Sequence, residues 1–229
     1  MQALDPAVLQ RLRTFNTPTV SNAIEVFDVR PRNEGFMRPE IRCIFPKMGV
    51  MVGYAVTLKI QSTSPGAKGA SLHPSVHWRD IVTVPTPRVV VVEEVDDPPG
   101  HGALWGEVNS NMHRAMECVG CVTNGSVRDL EEVERLGFHF FAKHIAVSHA
   151  YVRIVEVGTP VRVGGLTVRP GDLLHGDRHG VLNVPLEVAA CIPDGVKAVD
   201  TMERQIIKYC QSPGFAVDGL IELFDRVHM

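Results

Sequence analysis

The chain has 229 residues, of which 45% are hydrophobic and 21% charged, and its formal net charge is −3 at pH 7. That length suffices for one substantial core, and the weak negative charge excludes the basic surface typical of nucleic-acid or polybasic membrane binding. No stretch approaches the roughly 20 apolar residues of a membrane-spanning helix, and the first six residues lack signal-peptide character. Five cysteines without framework spacing favour a reducing compartment. We therefore expect a cytoplasmic protein that binds neither nucleic acid nor membrane.

The first hundred residues alternate predicted helices and strands. Asp5-Pro6 is typical of a helix start, and a second helix is predicted from about Thr19 to Phe27. The Gly- and Ser-rich segment 62–73 predicts a mobile loop. Four consecutive valines, Val89–Val92, are typical of a strand buried on both faces. Three segments have strand character: Val50–Ile60, Ile81–Val84 and Arg88–Val95.

Beyond residue 103 the periodicity changes twice. Leu104–Val119 carries apolar residues at helical three- and four-residue steps, and the apolar stretch after it predicts a strand ending at the turn signal Asn124-Gly125. Leu186–Tyr209 is helical in pattern, with Pro193 and Gly195 predicting a break into two pieces. This order predicts an α/β fold with a mixed sheet. Further short strands are predicted at Phe138–Ala142, Val152–Val157, Val161–Val163, Leu166–Val168, Asp172–His175 and Val181–Val184.

Two short segments within this order carry chemistry. Gly106–Asn109 would open a helix and Arg128-Asp129 would follow a strand, with 20 residues between Glu107 and Arg128. Unpaired N–H groups at a helix start bind carboxylates or phosphates, and a carboxylate after a strand can hold a hard divalent cation. Arginine offers a planar fork to a carboxylate or an enolate. The two segments together predict a site for an oxygen-rich anion on a metal ion.

The acidic residue, the gap of twenty residues and the Arg-Asp pair resemble the signature of the RraA-like family, which includes regulators of ribonuclease activity A and 4-hydroxy-4-methyl-2-oxoglutarate aldolases. The resemblance implies a single domain over residues 1–229 with a swivelling β/β/α sandwich and a mixed sheet. It places N-terminal helices at about 5–28, a core at about 50–185 and C-terminal helices at about 186–227, and it implies a homotrimer or a pair of trimers. Other segments resemble the family in the same order: Thr17–Ala23, Gly53–Thr57, Asn124–Asp129, Pro170–Asp172 and Gly176–Val181.

The same resemblance implies a class II pyruvate aldolase that uses Mg²⁺ or Mn²⁺. Asp129 would be the metal ligand, Glu107 would reach the metal through a bound water, and Arg128 would bind the substrate and stabilise its enolate. A water held near Glu107 and Asp129 would move the proton of the C4 hydroxyl. The expected substrate is a 4-hydroxy-2-oxo acid such as 4-hydroxy-4-methyl-2-oxoglutarate. Oxaloacetate decarboxylation would be a side activity, because both reactions pass through the pyruvate enolate. The implied substrate-binding set is Gly106, Glu107, Val108, Asn109 and Arg128.

Several positions leave alternatives open. Glu107 stands where the family commonly has Asp, and a glutamate at a helix start is also favoured by the helix dipole. Asp129 could instead cap the helix that follows it, since Asp is a favoured N-cap residue. Glu203 matches an acidic residue that reaches the metal of a neighbouring subunit in the family, but it could equally lie on a solvated helix face. Asn22 stands where the family often has Asp.

Two other functions are compatible with the family name. A non-catalytic regulator that binds an RNA-degrading enzyme would have no need of the Glu107, Arg128 and Asp129 set. A methyltransferase acting on a quinone precursor predicts a glycine-rich S-adenosylmethionine loop after an early strand, and the sequence contains none. Cys118 and Cys121 form a single Cys-x-x-Cys, which is a weak zinc signal and, inside an apolar run, favours core packing.

Overall fold

The computed structural model describes residues 3–228, which contain seven α-helices and eleven strands. No helix in this described part of the chain is long and apolar enough to cross a lipid bilayer. The helices are α1 (Pro6–Leu12), α2 (Thr17–Glu25), α3 (Pro74–Ile81), α4 (Glu107–Ala115), α5 (Leu130–Leu136), α6 (Ile192–Cys210) and α7 (Val217–His228). The strands are β1 (Arg42–Cys43), β2 (Met51–Gln61), β3 (Arg88–Glu94), β4 (Ala103–Trp105), β5 (Cys118–Val127), β6 (His139–Ile145), β7 (Arg153–Val157), β8 (Val161–Val163), β9 (Leu166–Val168), β10 (Leu173–Asp177) and β11 (Gly180–Val184).

Nine of these strands form one mixed sheet, which confirms the predicted α/β class. The strand order is β1-β6-β5-β3-β2-β10-β11, with β4 paired to β5 and β7 paired to β2. Strands β2, β3, β5 and β6 run parallel, and the connections between them contain α3, α4 and α5. Parallel neighbours need such crossover connections, so helices lie between successive central strands. The pair β8–β9 forms a separate antiparallel hairpin, as predicted.

The run of four valines in β3 is buried on both faces, as predicted. Val90 and Val92 belong to the larger hydrophobic cluster, whereas Val89 and Val91 belong to the smaller one. Successive strand side chains point to opposite faces, so an apolar side chain is needed at every position of a strand that has a cluster on each side. Strand β3 is therefore a central strand of the sheet, between β2 and β5.

Ile81–Val84 does not form the predicted strand. Helix α3 ends at Ile81, and Thr83 closes the turn beyond it, its Oγ1–H donating to the Asp80 carbonyl at 2.7 Å. His73 caps the helix at its other end by accepting the Ser75 N–H. Four residues rich in β-branched side chains favour a strand only weakly, and here the capped helix and its C-terminal turn determine the structure.

Asn124 and Gly125 do not form a turn but lie within β5. The Asn124 side chain replaces a backbone partner: its Oδ1 accepts the Glu94 N–H at 2.7 Å and its Nδ2–H donates to the Glu94 carbonyl at 3.0 Å. The register of β5 against β6 shifts between Thr123 and Ser126. The Asn-Gly pair, which normally indicates a hairpin turn, here belongs to a β-bulge stabilised by the Asn124 side-chain amide.

Pro193 and Gly195 do not split the C-terminal helix, because α6 is continuous over 19 residues. Pro193 occupies the first turn, where a proline costs no hydrogen bond. Gly195 lies against α2, and a Cβ at this position would lie 2.8 Å from the Ala23 carbonyl oxygen. The glycine therefore permits close helix packing, which outweighs its low helix propensity.

Candidate functional site

The two predicted site segments lie side by side because they follow two adjacent parallel strands. Strand β4 ends at Trp105 and β5 at Val127, and these residues are register partners. The Arg128 N–H donates to the Trp105 carbonyl at 2.9 Å, so the chain leaves both strands at the same level. Helix α4 begins directly after Gly106, as predicted. Carboxyl ends of parallel strands are where α/β proteins commonly bind ligands.

Asp129 contacts the start of α4. Its Oδ2 accepts the Glu107 N–H at 2.9 Å. Asp129 occupies the N-cap position of α5, but its side chain makes no cap hydrogen bond there, and its backbone is left-handed with φ of 55°. A non-glycine residue in the left-handed region carries a modest conformational cost. In this conformation the Asp129 carboxylate contacts α4 rather than its own helix. Capping of its own helix, α5, therefore does not account for Asp129, whose carboxylate instead accepts an N–H from the first turn of α4.

Gly106 is required by the closeness of this contact. A Cβ built on Gly106 would lie 2.2 Å from Asp129 Oδ2 and 3.1 Å from Arg128 Cγ. The backbone of Gly106 is extended, with φ of −150°, so its value here is its missing side chain rather than its conformational freedom. Any other residue would push the Asp129 carboxylate off the helix start.

The first turn of α4 presents backbone N–H groups beside this carboxylate. The first intrahelical bond runs from the Ser110 N–H to the Gly106 carbonyl, so the N–H groups of Val108 and Asn109 precede the hydrogen-bonded ladder. The Val108 side chain is 70% exposed. The Asn109 Nδ2–H donates to the Leu104 carbonyl at 2.6 Å, which ties β4 to α4. The backbone of this turn is thus available to an anion, whereas the Asn109 amide is engaged.

Arg128 and Asp129 form a half-exposed ion pair. Arg128 Nε lies 3.7 Å from Asp129 Oδ2, and each side chain is 35% exposed. The remaining N–H groups of this guanidinium accordingly have access to a ligand from solvent. Glu107 is exposed at the same corner. Positive charge from Arg128 and the helix start thus adjoins negative charge from Asp129 and Glu107, an arrangement suited to a metal-bound anion.

The donor set fits a hard divalent cation held mostly by water and substrate. Residues 3–228 contain no cluster of three or more His, Cys, Asp or Glu side chains placed to hold a metal ion. Within the same residues, Asp129 Oδ1 accepts no hydrogen bond, while Oδ2 is engaged by Glu107. Mg²⁺ is commonly bound by one or two carboxylates together with water and substrate oxygens, whereas structural zinc needs four protein ligands. Asp129 therefore fits Mg²⁺ or Mn²⁺.

Glu203 lies elsewhere on the protomer, on an exposed face of α6. Its Oε1 accepts the Asn22 Nδ2–H at 3.5 Å. Glu203 therefore contacts Asn22, the residue that stands where the family often has Asp. Among the described residues of one protomer, no hydrogen bond or ion pair connects Glu203 with Arg128 or Asp129. A role for Glu203 at a neighbouring subunit's metal stays a prediction.

Sequence reasoning missed a buried pair of histidines between α3 and α4. His113 Nδ1 lies 2.7 Å from the Asn109 carbonyl, and its Nε2 lies 3.1 Å from His77 Nε2. The His113 ring also packs against Trp105 at 4.8 Å between centroids. Burial lowers the pKa of His113 to about 4, and burial and then the charge of His113 lower the pKa of His77 to about 3. Both rings are neutral at pH 7 and link α3 to the first turn of α4.

This histidine pair corrects the predicted pattern over Leu104–Val119. Leu104 lies in β4 and Val119 in β5, so the helix is shorter than its apolar periodicity suggested. The side chains that α4 buries are Ser110 and His113 rather than an apolar stripe. The signal that could have revealed this was two histidines in apolar surroundings, but they stand 36 residues apart.

A second buried group, Glu94, fixes the loop that leads into β4. Glu94 is 2% exposed, accepts a hydrogen bond from the Ser62 hydroxyl, and accepts the Gly100 N–H at 2.8 Å. Ser62 Oγ in turn accepts the Gly102 N–H at 3.0 Å. A buried carboxylate requires such partners. The available signal was an acidic residue at the end of a buried valine strand.

The cysteines of the Cys-x-x-Cys motif are core residues, as predicted. Cys118 and Cys121 lie in β5, are buried and form no disulfide. Burial raises the pKa of Cys118 to about 12. Thiols in this state are poor nucleophiles and poor metal ligands.

Comparison with known proteins places these features in one family. A model of the RraA-like family, described as Aldolase/RraA, matches residues 17–183. The chain is 24% identical over 213 residues to protein DlpA of Legionella pneumophila, matching 88% of this chain and spanning only 31% of DlpA. It is 30% identical over 84 residues to a Halalkalibacterium halodurans protein provisionally named 4-hydroxy-4-methyl-2-oxoglutarate aldolase, covering 36% of this chain and 40% of that protein.

A solved structure supports the fold. The Streptomyces coelicolor protein RraAS2, described as an unusual member of the RNase ES inhibitor RraA protein family, superposes with a TM-score of 0.70. The match covers 89% of this chain and 97% of that chain at 19% sequence identity. At this identity the likeness concerns the fold alone.

Proposed function

The chain belongs to the RraA-like (Aldolase/RraA) family, and from that premise we propose that it is a divalent-metal-dependent aldolase releasing pyruvate from a 4-hydroxy-2-oxo acid. The observation that carries the proposal is the contact of Asp129 Oδ2 with the Glu107 N–H, beside the Arg128 guanidinium. A regulator that acted only by binding another protein would not need Asp129 to adopt a left-handed backbone conformation. It would also not need a glycine at position 106 to let the Asp129 carboxylate approach the start of α4.

Each residue of the site has a part in the proposed cleavage. The free N–H groups of Val108 and Asn109 bind the substrate carboxylate. Asp129 holds Mg²⁺ or Mn²⁺, which when bound supplies Lewis-acid polarisation of the 2-oxo group. The exposed Glu107 carboxylate takes the C4 hydroxyl proton through a water molecule. The C3–C4 bond then breaks, a carbonyl forms at C4, and the electron pair remains on C3.

Arg128 stabilises the product of that bond cleavage. The electron pair left on C3 makes the pyruvate enolate, whose negative oxygen faces the Arg128 guanidinium. Protonation at C3 by the same water completes the reaction. Loss of CO₂ from oxaloacetate leaves the same enolate, so we propose oxaloacetate decarboxylation as a second activity of the site.

The test uses pyruvate formation, followed through lactate dehydrogenase, from 4-hydroxy-4-methyl-2-oxoglutarate and from oxaloacetate with Mg²⁺, Mn²⁺ or EDTA. We expect metal-dependent pyruvate from the native chain and at least about 100-fold less from Asp129→Asn. Glu131→Gln is the matched control, because it removes one exposed carboxylate two residues away. The proposal fails if no 2-oxo acid yields pyruvate with either metal, or if Asp129→Asn retains full activity.

We further propose that the enzyme is a homotrimer or a pair of trimers in which Glu203 of one subunit assists the site of the next. Glu203 is exposed on α6 and makes only a 3.5 Å contact with Asn22 within its own chain. Mixing Glu203→Gln chains with Asp129→Asn chains would then restore activity that neither variant shows alone. Mixed oligomers with no more activity than either parent would exclude this role.

The alternative function is that of a regulator binding an RNA-degrading enzyme. Its support is that the matching family also includes RraA proteins, among them the RraAS2 structure described as related to an RNase ES inhibitor. Stoichiometric recovery of a ribonuclease on immobilised protein, equal for the native chain and Asp129→Asn, would favour this function. Absence of a ribonuclease together with metal-dependent lyase activity would favour the aldolase.

A further inference from the structure

A groove away from the candidate catalytic site is large enough to hold a ligand. It has a volume of about 950 Å³ and lies between α1, the segment 82–88 and the turn joining α4 to β5. The candidate catalytic site adjoins the N-terminal end of α4, whereas this groove adjoins its C-terminal end, at Arg114 and Glu117. Its size is that of a small-molecule site. None of its lining residues has a part in the proposed cleavage.

The groove carries an excess of positive charge. Three arginines and one carboxylate line it: Arg13, Arg88, Arg114 and Glu117. Arg88 is engaged within the protein: its Nε–H donates to the Val84 carbonyl at 2.7 Å and its Nη1–H to the Met116 carbonyl at 2.8 Å. Its Nη1 also lies 3.7 Å from Glu117, which neutralises it. The excess charge therefore belongs to Arg13 and Arg114.

Arg13 has few partners for a half-buried guanidinium. Its one hydrogen bond within residues 3–228 is a long contact of 3.4 Å from Nη2 to the Val52 carbonyl, and no carboxylate there lies within ion-pair distance. Its charge acts inside the protein: burial, and then Arg13, lower the pKa of buried His139 to about 4. An arginine has five N–H donors and keeps its charge at every accessible pH. A partly desolvated cation of this kind favours a bound anion.

The groove presents more apolar than polar surface. Leu4, Leu9, Val82 and Val84 line it on the side of α1 and the segment after α3. Val119 lines it on the side of β5. A strongly hydrated inorganic anion would leave this apolar surface uncovered, whereas an anion with a hydrocarbon chain would cover it and gain about 25 cal/mol for each Å² removed from water.

We propose that this groove binds a medium-chain carboxylate, with the carboxylate on the Arg13 guanidinium and the hydrocarbon chain along Leu4 and the exposed Val82. The site is separate from the proposed aldolase site and does not depend on its activity. The charge of Arg13 selects the anion, and the apolar wall selects its chain. Arg114, exposed at the rim, adds positive potential at the entrance.

Octanoate is the probe, and isothermal titration of the full chain is the measurement. We expect saturable binding of one octanoate per chain, weakened at least about tenfold in Arg13→Gln, which can still donate to the Val52 carbonyl. Arg11→Gln is the matched control, because Arg11 is an exposed arginine two residues before Arg13 and does not line the groove. Uncharged octanol should bind far more weakly than octanoate.

A second variant separates loss of binding from any loss of folding caused by changing Arg13. Gln10 is exposed and lines the groove, so Gln10→Glu should weaken octanoate binding by adding a negative charge without disturbing the core. Asp129→Asn should bind octanoate like the native chain, which separates this site from the aldolase site. Absence of saturable binding, equal binding of octanol, or unchanged affinity in both Arg13→Gln and Gln10→Glu would overturn the proposal.

Discussion

At its N-terminal end α4 meets the half-exposed Arg128 and Asp129, whereas at its C-terminal end it borders a groove of about 950 Å³. The N-terminal end has backbone N–H groups and two carboxylates. The C-terminal end has apolar walls and one incompletely paired guanidinium, Arg13. Under the proposed function, the chemistry belongs to the strand ends, the helix start and the approach of Asp129 to Gly106, and not to the groove.

The largest expected effect tests whether the N-terminal end depends on that close approach. Gly106→Ala places a Cβ where the structure allows only 2.2 Å to Asp129 Oδ2, so the carboxylate must move. We expect pyruvate formation to fall by about 100-fold, the loss typical of a misplacement near 1 Å. Gly214→Ala is the control, since nothing lies within 4 Å of a Cβ there. Equal rates in the two variants would show that the contact is not needed.

A smaller effect tests whether the guanidinium at this end acts on the developing charge. Arg128→Lys keeps the charge but loses the planar fork, so we expect kcat to fall by about tenfold or more with a smaller change in KM. Arg135→Lys, which changes an exposed arginine seven residues further along the chain, should leave both constants unchanged. A rise in KM alone would assign Arg128 to ground-state binding rather than to the enolate.

The last effect is on stability rather than on rate, and it concerns the buried histidines that support the N-terminal end. The pKa values of His77 and His113 are lowered from 6.5 to about 3 and about 4, so the unfolded chain binds more protons once the pH falls below about 6.5. Their contribution to the free energy of unfolding is complete above that pH. It is lost as the pH falls toward 4, by up to about 1.4 kcal/mol per pH unit for each ring.

Urea unfolding at pH 7, 6, 5 and 4.5 measures this dependence. His77→Gln removes one titrating ring and should flatten the decline in the free energy of unfolding. His101→Gln, at an exposed position, should leave the decline as in the native chain. If the free energy of unfolding of His77→Gln declined with pH as steeply as that of the native chain, the histidine pair would not be the source of the decline.

The same contrast explains how far the sequence predicts this molecule. The helix start after Gly106 was predictable because helical periodicity follows it, and an apolar stretch before Arg128-Asp129 predicted a preceding strand. Strand β4, which brings the two segments together, was not predicted. The bulge at Asn124 was not, since it depends on the backbone of Glu94, 30 residues away. The His77–His113 pair was not predictable either, because neither residue belongs to a local motif. Pro193 was misjudged because its cost depends on where the helix begins.

The groove was beyond prediction for a related reason. Its walls come from α1, the segment after α3 and the α4–β5 turn, which are distant in sequence. Arg13 reads as an ordinary surface arginine until the fold places it beside the start of β2, near the buried His139. Incomplete pairing of a cation is a tertiary property that residue patterns do not encode.

Metal binding at the N-terminal end is the most direct test of the aldolase proposal. Mn²⁺ titrated into the full chain, followed by electron paramagnetic resonance with pyruvate present, should show one bound ion per chain in the native protein and in Glu131→Gln. The same titration should show that ion lost in Asp129→Asn. Equal Mn²⁺ binding by the native chain and Asp129→Asn, or no binding by either, would contradict Asp129 as the metal ligand.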